Sequence, residues 1–298
     1  MTNRTSVVCF GEILWDVLPD QSMPGGAPMN VAYHLNNLGI DTNLISCVGD
    51  DEKGKELLSI LERWSLSTKY CQVDKNYKTS EVVATEGDNH EMKYEILHPV
   101  AWDFIRYNNN LKSLVEKADA FVFGSLVTRS IISQKTLLLL LESAKYTVFD
   151  INIRSPHYST ITIKQLLKKT NLLKLNDNEL VDVGKFYNKN VETPQDAVRM
   201  LQNDFGIKEI IVTSGSRGST YITPNDTISQ IAYSVKVADT IGSGDSFLAG
   251  FLSKKLKGET AEAALSFAAT LASFVTSHHG ACPAYTIDEL QTFKENLE

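Results

Sequence analysis

The chain has 298 residues, 43% hydrophobic and 22% charged, with a formal net charge of −7. That apolar content can bury a large core, while the acidic balance disfavours a broad nucleic-acid surface, so any phosphate chemistry must be local. Cys9, Cys47, Cys71 and Cys282 lack Cys-x-x-Cys spacing, which argues against a zinc site or disulfide framework and predicts reduced core thiols in a cytoplasmic protein.

In chain order, apolar runs predict strands over residues 7–10, 44–48, 120–123, 147–151, 172–175 and 209–212. Between them, helical periodicity predicts helices around 31–38, 55–64, 132–144, 164–169 and 197–205, and the Ala-rich stretch 261–275 predicts another. Pro28 and Pro194 suit first-turn positions, where no intrahelical amide bond is lost. Such alternation predicts an α/β fold, a doubly wound and mainly parallel sheet with helices on both faces. Residues 17–23 and 79–97 break the rhythm and look extended, the second reading as a hairpin of 80–85 and 91–97 around Gly87-Asp88-Asn89. These segments predict a small antiparallel β lid from about 14–24 and 74–104, inserted in a single domain over 1–298. No signal peptide or membrane span is expected.

The segment Asp239-Thr-Ile-Gly-Ser-Gly-Asp245 runs directly into Ser-Phe-Leu-Ala-Gly-Phe. Gly242 and Gly244 around Ser243 let backbone approach an anion, and the helix that follows offers unpaired amides and the positive end of its dipole. Asp245, repelled by phosphate, is suited instead to taking a proton from a hydroxyl that attacks it. A Gly-rich turn with Asp245 as a helix cap is the structural alternative. A second cluster joins Asp16 to Gly25-Gly26-Ala-Pro-Met-Asn30, where paired glycines permit close approach and Asp16 and Asn30 match a polyol's donors and acceptors; a capped turn explains it as well.

Together, in this order and on this strand pattern, the clusters resemble the ribokinase-like, or phosphofructokinase-B, family of sugar kinases. The resemblance spans nearly the whole chain and includes Val48-Gly-Asp-Asp51 with Gly54, Asn176-Asp-Asn-Glu179 and Val212-Thr-Ser-Gly-Ser-Arg-Gly218. It implies Asp245 as the base and the amides of Gly242, Ser243 and Gly244 as the cradle of the phosphoryl group. Asn176 and Glu179 match the segment that organises Mg2+ with ATP, which the family pattern implies is done through water because magnesium dehydrates reluctantly; a helix cap is the local alternative. Thr213, Gly215 and Gly218 resemble the nucleotide-side loop. A K+ ion is implied between Asp239 and the loop Ser277-His-His-Gly-Ala-Cys-Pro-Ala284; His278 is read as a wall of the adenine pocket or as plainly solvent-exposed.

Phe10-Gly-Glu-Ile-Leu-Trp-Asp16 and Pro99-Val-Ala-Trp-Asp103 are similar to fructokinase segments, Gly-Gly-Ala-Pro-Met-Asn to those of fructokinases and sugar-acid kinases, and Asp150-x-Asn152-x-Arg154 to those of fructokinases and ketodeoxygluconate kinases. Arg154 is then a clamp for a phosphate or sugar oxygen, its alternative being a surface ion pair. Trp15 and Trp102 are core aromatics or stack near the sugar. The expectation is an ATP-dependent fructokinase, with 2-keto-3-deoxygluconate as the competing acceptor and a silent sugar- or nucleotide-binding regulator as the non-enzymatic alternative. A homodimer through the β lid is also expected.

Overall fold

Short apolar runs of this kind pair best where both faces of a strand are covered, and that is how the main sheet is built. The computed structural model describes residues 4–17, 21–86, 92–187 and 191–297. Its strands are β1 (Ser6–Phe10), β2 (Leu14–Val17), β3 (Ser22–Gly25), β4 (Asp41–Gly49), β5 (Cys71–Asp74), β6 (Ser80–Glu86), β7 (Met92–Ile96), β8 (Ala120–Gly124), β9 (Thr147–Asp150), β10 (Leu172–Asn176), β11 (Glu209–Thr213), β12 (Ser219–Ile222) and β13 (Thr227–Gln230). The α-helices are α1 (Ala27–Asn37), α2 (Glu52–Arg63), α3 (Asn109–Lys117), α4 (Ile131–Leu141), α5 (Thr160–Leu167), α6 (Asp177–Phe186), α7 (Pro194–Phe205), α8 (Ser243–Lys255), α9 (Ala261–Thr276) and α10 (Ile287–Glu295). No described helix is long and apolar enough to cross a membrane.

Nine strands form the main sheet in the order β13-β12-β11-β10-β9-β8-β1-β4-β5. Every pair from β11 to β5 is parallel; the β11/β12 and β12/β13 pairs are antiparallel, so β12 alone runs against the rest of the sheet. Successive side chains of β1 serve opposite layers: Val7 and Cys9 join one core with α1, α2, α8 and α9, whereas Val8 and Phe10 join the other. Each such fully buried side chain contributes roughly 1.5–3 kcal/mol of transfer free energy. Strand order turns outward in both directions from β1, between β4 and β8, and crevices at such switch points lie beyond the carboxyl ends of the strands.

The second sheet has the order β3-β2-β6-β7. Its hairpins β2/β3 and β6/β7 are antiparallel, and a parallel β2/β6 pair joins them. A parallel pair needs a long crossover, here supplied by α1, β4, α2 and β5. The turn predicted at Gly87-Asp88-Asn89 lies outside the described residues. Where the small sheet meets the large one, Asp51 caps α2 by accepting from the Gly54 amide at 2.8 Å, and also accepts from the Thr79 amide at 2.8 Å and hydroxyl at 2.6 Å. Trp15 and Trp102 are buried; the Trp15 indole donates to the Lys53 carbonyl and the Arg129 guanidinium lies over Trp102.

Candidate active site

Helix α8 begins at Gly242, whose φ of +75° is strained for any side chain and whose added Cβ would lie 2.5 Å from that of Ala281. A glycine there has no side chain to cap the helix; the Ser243 amide donates to the Thr240 carbonyl at 3.3 Å, and the positive end of the dipole lies at this turn. Asp245 stands in that first turn. Its Oδ2 accepts from Asn30 Nδ2 at 2.8 Å, and Asn30 belongs to the first turn of α1, so two helix N-termini converge on one carboxylate. Burial, and then the negative charge of Asp150, pushes the Asp245 carboxyl up to about 6, against the opposing pull of Asn30, Lys174 and Arg154. A carboxylate so tuned is ionised near neutrality yet basic enough to accept a proton.

Asn30 is only 4% exposed, and its carbonyl oxygen takes the Cys282 thiol at 3.5 Å. One of its two amide hydrogens thus goes to Asp245, a contact that the sequence reading did not include. Asp16, on β2, lies across Gly25 so closely that a Cβ there would fall 2.2 Å from Asp16 Oδ2. Gly26 has φ +113° and packs against the Glu12 carbonyl, where a Cβ would come within 2.5 Å. Both glycines are thus required by close approach. Burial raises Asp16 to about 6, and Arg154 acts in the opposite direction. Arg154 is exposed, and its one hydrogen bond among the described residues goes to the adjacent Ile153 carbonyl at 3.5 Å, so the surface ion pair is not formed. It follows Asn152, a non-glycine residue with φ +39° just past the end of β9.

A cavity of about 630 Å3 opens on the other side of the α8 N-terminus, a volume in the usual range for small-molecule sites. Asn176, Thr213, Gly215, Gly218, Ser243 and Gly244 all line it. Asn176 and Glu179 form a reciprocal cap on α6: Asn176 Oδ1 accepts from the Asn178 and Glu179 amides, and Glu179 Oε2 accepts from the Asn176 amide at 2.8 Å. Glu179 Oε1 accepts from the Ile153 amide at 2.9 Å. The capping alternative is therefore real, and the carboxylate keeps only its remaining lone pairs for anything else. Among the described residues no cluster of three or more His, Cys, Asp or Glu could hold a metal by itself. Asn176 and Glu179 fit an ion that arrives hydrated on a nucleotide, not one held by a protein cage.

Asp239 bridges its own turn to the C-terminal loop, accepting from the Ile241 amide at 3.0 Å and the Gly280 amide at 3.1 Å. The loop is anchored to α1 by His34, which is fully buried with Nε2 2.9 Å from the Ala281 carbonyl and Nδ1 2.9 Å from the Tyr285 hydroxyl. Burial lowers His34 to about 4, so it is neutral and donates to the carbonyl. His278 does not line the cavity. Its ring stacks on Phe274, with centroids 4.2 Å apart, and Nδ1 bonds the Phe274 carbonyl at 2.7 Å, because residues four apart share one helix face.

Two groups at the site were missed in the sequence. Lys174 Nζ donates to both oxygens of Asp150, and Glu12, 2% exposed, has an Oε2 with no hydrogen-bond partner among the described residues. Burial pushes Glu12 up to about 7, and Asp245 adds to that rise. A lysine inside Leu-Leu-Lys-Leu was the available signal, since covered parallel strands seldom carry a charge.

A family model described as pfkB family carbohydrate kinase matches residues 4–287. Probable fructokinase-5 of Arabidopsis thaliana is 30% identical over 314 aligned positions, which cover 95% of each chain. An ATP-dependent 6-phosphofructokinase of Thermoanaerobacterium thermosaccharolyticum is 31% identical over 267 positions, covering 86% of this chain and 80% of that one. Among solved structures, a double mutant of fructokinase from Vibrio cholerae O395, in a form with fructose, ADP and potassium ion bound, shares the fold. Its TM-score is 0.83 at 22% identity, over 99% of this chain and 98% of that one.

Proposed function

Because the chain belongs to the pfkB family of carbohydrate kinases, we propose that it is an ATP-dependent fructokinase, forming fructose 6-phosphate and ADP with Asp245 as general base. The observation that carries this reading is the 2.8 Å bond from Asn30 to Asp245 beside the uncapped turn of α8. It fixes one carboxylate oxygen and leaves Oδ1 to accept a proton. In the reaction, the acceptor hydroxyl oxygen bonds to the γ-phosphorus, the bond from that phosphorus to the β–γ bridging oxygen breaks, and the hydroxyl proton passes to Asp245. The amides of Gly242, Ser243 and Gly244 face the charge that builds on the transferred group.

Magnesium bound with the nucleotide would neutralise phosphate charge, and Asn176 and Glu179 would hold its water shell. Thr213, Gly215 and Gly218 take the nucleotide side, while Asp239 and the loop 277–284 are the place for K+. Asp16, Gly25, Gly26 and Arg154 take the sugar: the carboxylate accepts from hydroxyls and the guanidinium donates to oxygens. The small sheet acts as a lid that excludes water from the phosphoryl group. Asp16, Val82 and Ile96 stand opposite one another across β2, β6 and β7, so one face of the lid bears both the sugar ligand and apolar residues. Two lids packed together in a homodimer would cover what a lone sheet leaves exposed.

The test is a screen of purified protein with ATP against fructose, ribose, adenosine, 2-keto-3-deoxygluconate and fructose 6-phosphate, with the phosphorylated carbon identified. Fructose should give the highest kcat/KM; preference for the keto acid or the sugar phosphate would replace the fructose assignment. Asp245→Asn should lower kcat by roughly 10²–10⁴ with nucleotide affinity kept, the usual size for a lost general base. Near-wild-type turnover would remove Asp245 from the mechanism. Light scattering checks the assembly, and a strict monomer at micromolar concentration would reject the dimer.

A further inference from the structure

Lys174 occupies the middle of β10, 6% exposed, between β9 and β11. An unpaired ammonium there would cost several kcal/mol. Its Nζ instead donates to both oxygens of Asp150, at 2.9 and 2.8 Å, and Asp150, 5% exposed, is its directly opposed neighbour on β9. Replacing a buried ion pair by apolar residues is commonly neutral or stabilising, so stability alone does not explain this one.

Its location does. A Cβ at Gly244 would lie 3.3 Å from Lys174 Nζ, which places the ammonium against the residue adjoining Asp245, under the first turn of α8. Because the ammonium is the member of the pair that meets Gly244, the nearly neutral pair presents its positive end to the turn.

We propose that Lys174 and Asp150 form a positioning pair that sets the charge of Asp245 and of the turn facing the phosphoryl group, a role that rests on the kinase reading above. The groups that face Asp245 come from six places: Asn30 on α1, Glu12 between β1 and β2, Asp150 on β9, Arg154 after β9, Lys174 on β10 and Cys282 in the C-terminal loop. Within this set Lys174 favours the ionised base and Asp150 the protonated one, so the two partners act with opposite sign.

That opposition is the test. The pH profile of kcat/KM for fructose with ATP is measured from about pH 5 to about pH 9 for wild type, Lys174→Met, Asp150→Asn and the double variant. In parallel, the 13C carboxyl resonance of Asp245, assigned by its loss in Asp245→Asn, is titrated in the same proteins. Lys174→Met should move the acid limb and the carboxyl titration up by about one pH unit, and Asp150→Asn should move both down. The double variant, which leaves no unpaired buried charge and so keeps the fold if Lys174→Met alone does not, should return the titration close to wild type while kcat stays about tenfold low. A purely structural role would give shifts of one sign or none, and either result overturns the proposal. If wild type phosphorylates no sugar, the kinase reading fails, and the carboxyl titration still decides whether the pair acts on Asp245.

Discussion

Removing the amide that holds the base should reveal whether Asn30 serves Asp245 or the sugar. Asn30→Ala deletes a 2.8 Å hydrogen bond to a carboxylate whose pKa lies at about 6. A bond to a charged group is worth about 1.5–3 kcal/mol, or roughly one to two pKa units, and its loss favours the protonated acid. The base would then titrate between about pH 7 and pH 8. At pH 7 its ionised fraction would fall from about nine-tenths to between about a half and a tenth, so kcat/KM should drop roughly 2- to 10-fold. Because the lost charge returns on titration, the deficit should shrink to within about twofold near pH 9. Asn30→Asp should move the limb further, since two carboxylates in contact cannot both ionise readily. The assay is coupled ADP release with saturating ATP across pH, with fructose varied. A loss of equal size at every pH, carried by KM for fructose, would refute the reasoning and return Asn30 to the sugar.

Two further outcomes follow from the same geometry. Asp245 titrates at about 6 in the fold against an ordinary 3.8, so its protonation favours the folded state below the lower value, and that advantage is lost as pH rises through the higher one. Asp245→Asn should therefore add about 1–3 kcal/mol of stability at pH 7.5 and nothing at pH 3.5, read as Tm at the two pH values; equal Tm at pH 7.5 would contradict it. Gly242→Ala should cost about 1–2 kcal/mol for the left-handed backbone and displace Ala281, lowering both Tm and kcat by at least about tenfold in the latter. A variant with wild-type kcat would show that the turn tolerates a side chain.

The sequence revealed what is local and what is periodic. Asp239 to Asp245 was legible because a positive φ, a close approach to Ala281 and an uncapped helix leave few residue choices at each position. The parallel strands were legible because covered strands read as apolar runs, and the six predicted spans end within one residue of the observed ones except at the start of β4, which lies three residues earlier. By contrast, β12 and β13 are four residues each, with only Ser219 and Tyr221 of the eight buried, so they carry little apolar signal. Helix α3 buries only Leu111 and Val115, too sparse a stripe to announce itself. The Asn30–Asp245 bond was not legible, since the two partners lie 215 positions apart. The Lys174–Asp150 pair needed the knowledge that β9 and β10 are neighbours in register, which no window along the chain contains. The stacking of His278 on Phe274, four residues back, was likewise not read from the sequence.

The Asn30–Asp245 bond also orders events in time. A ribosome adding about 5–20 residues per second needs roughly 10–40 s to make the 215 positions between the two partners. Throughout that interval α1 has emerged without α8, the helix against which it will pack, so Met29, Val31 and Leu35 have no lasting cover and invite a chaperone. The turn at Gly242, Asp245 and the loop anchored by His34 all arrive together in the last portion synthesised. A chain released before that portion is made carries the uncovered face of α1 and lacks Asp245 and its turn altogether.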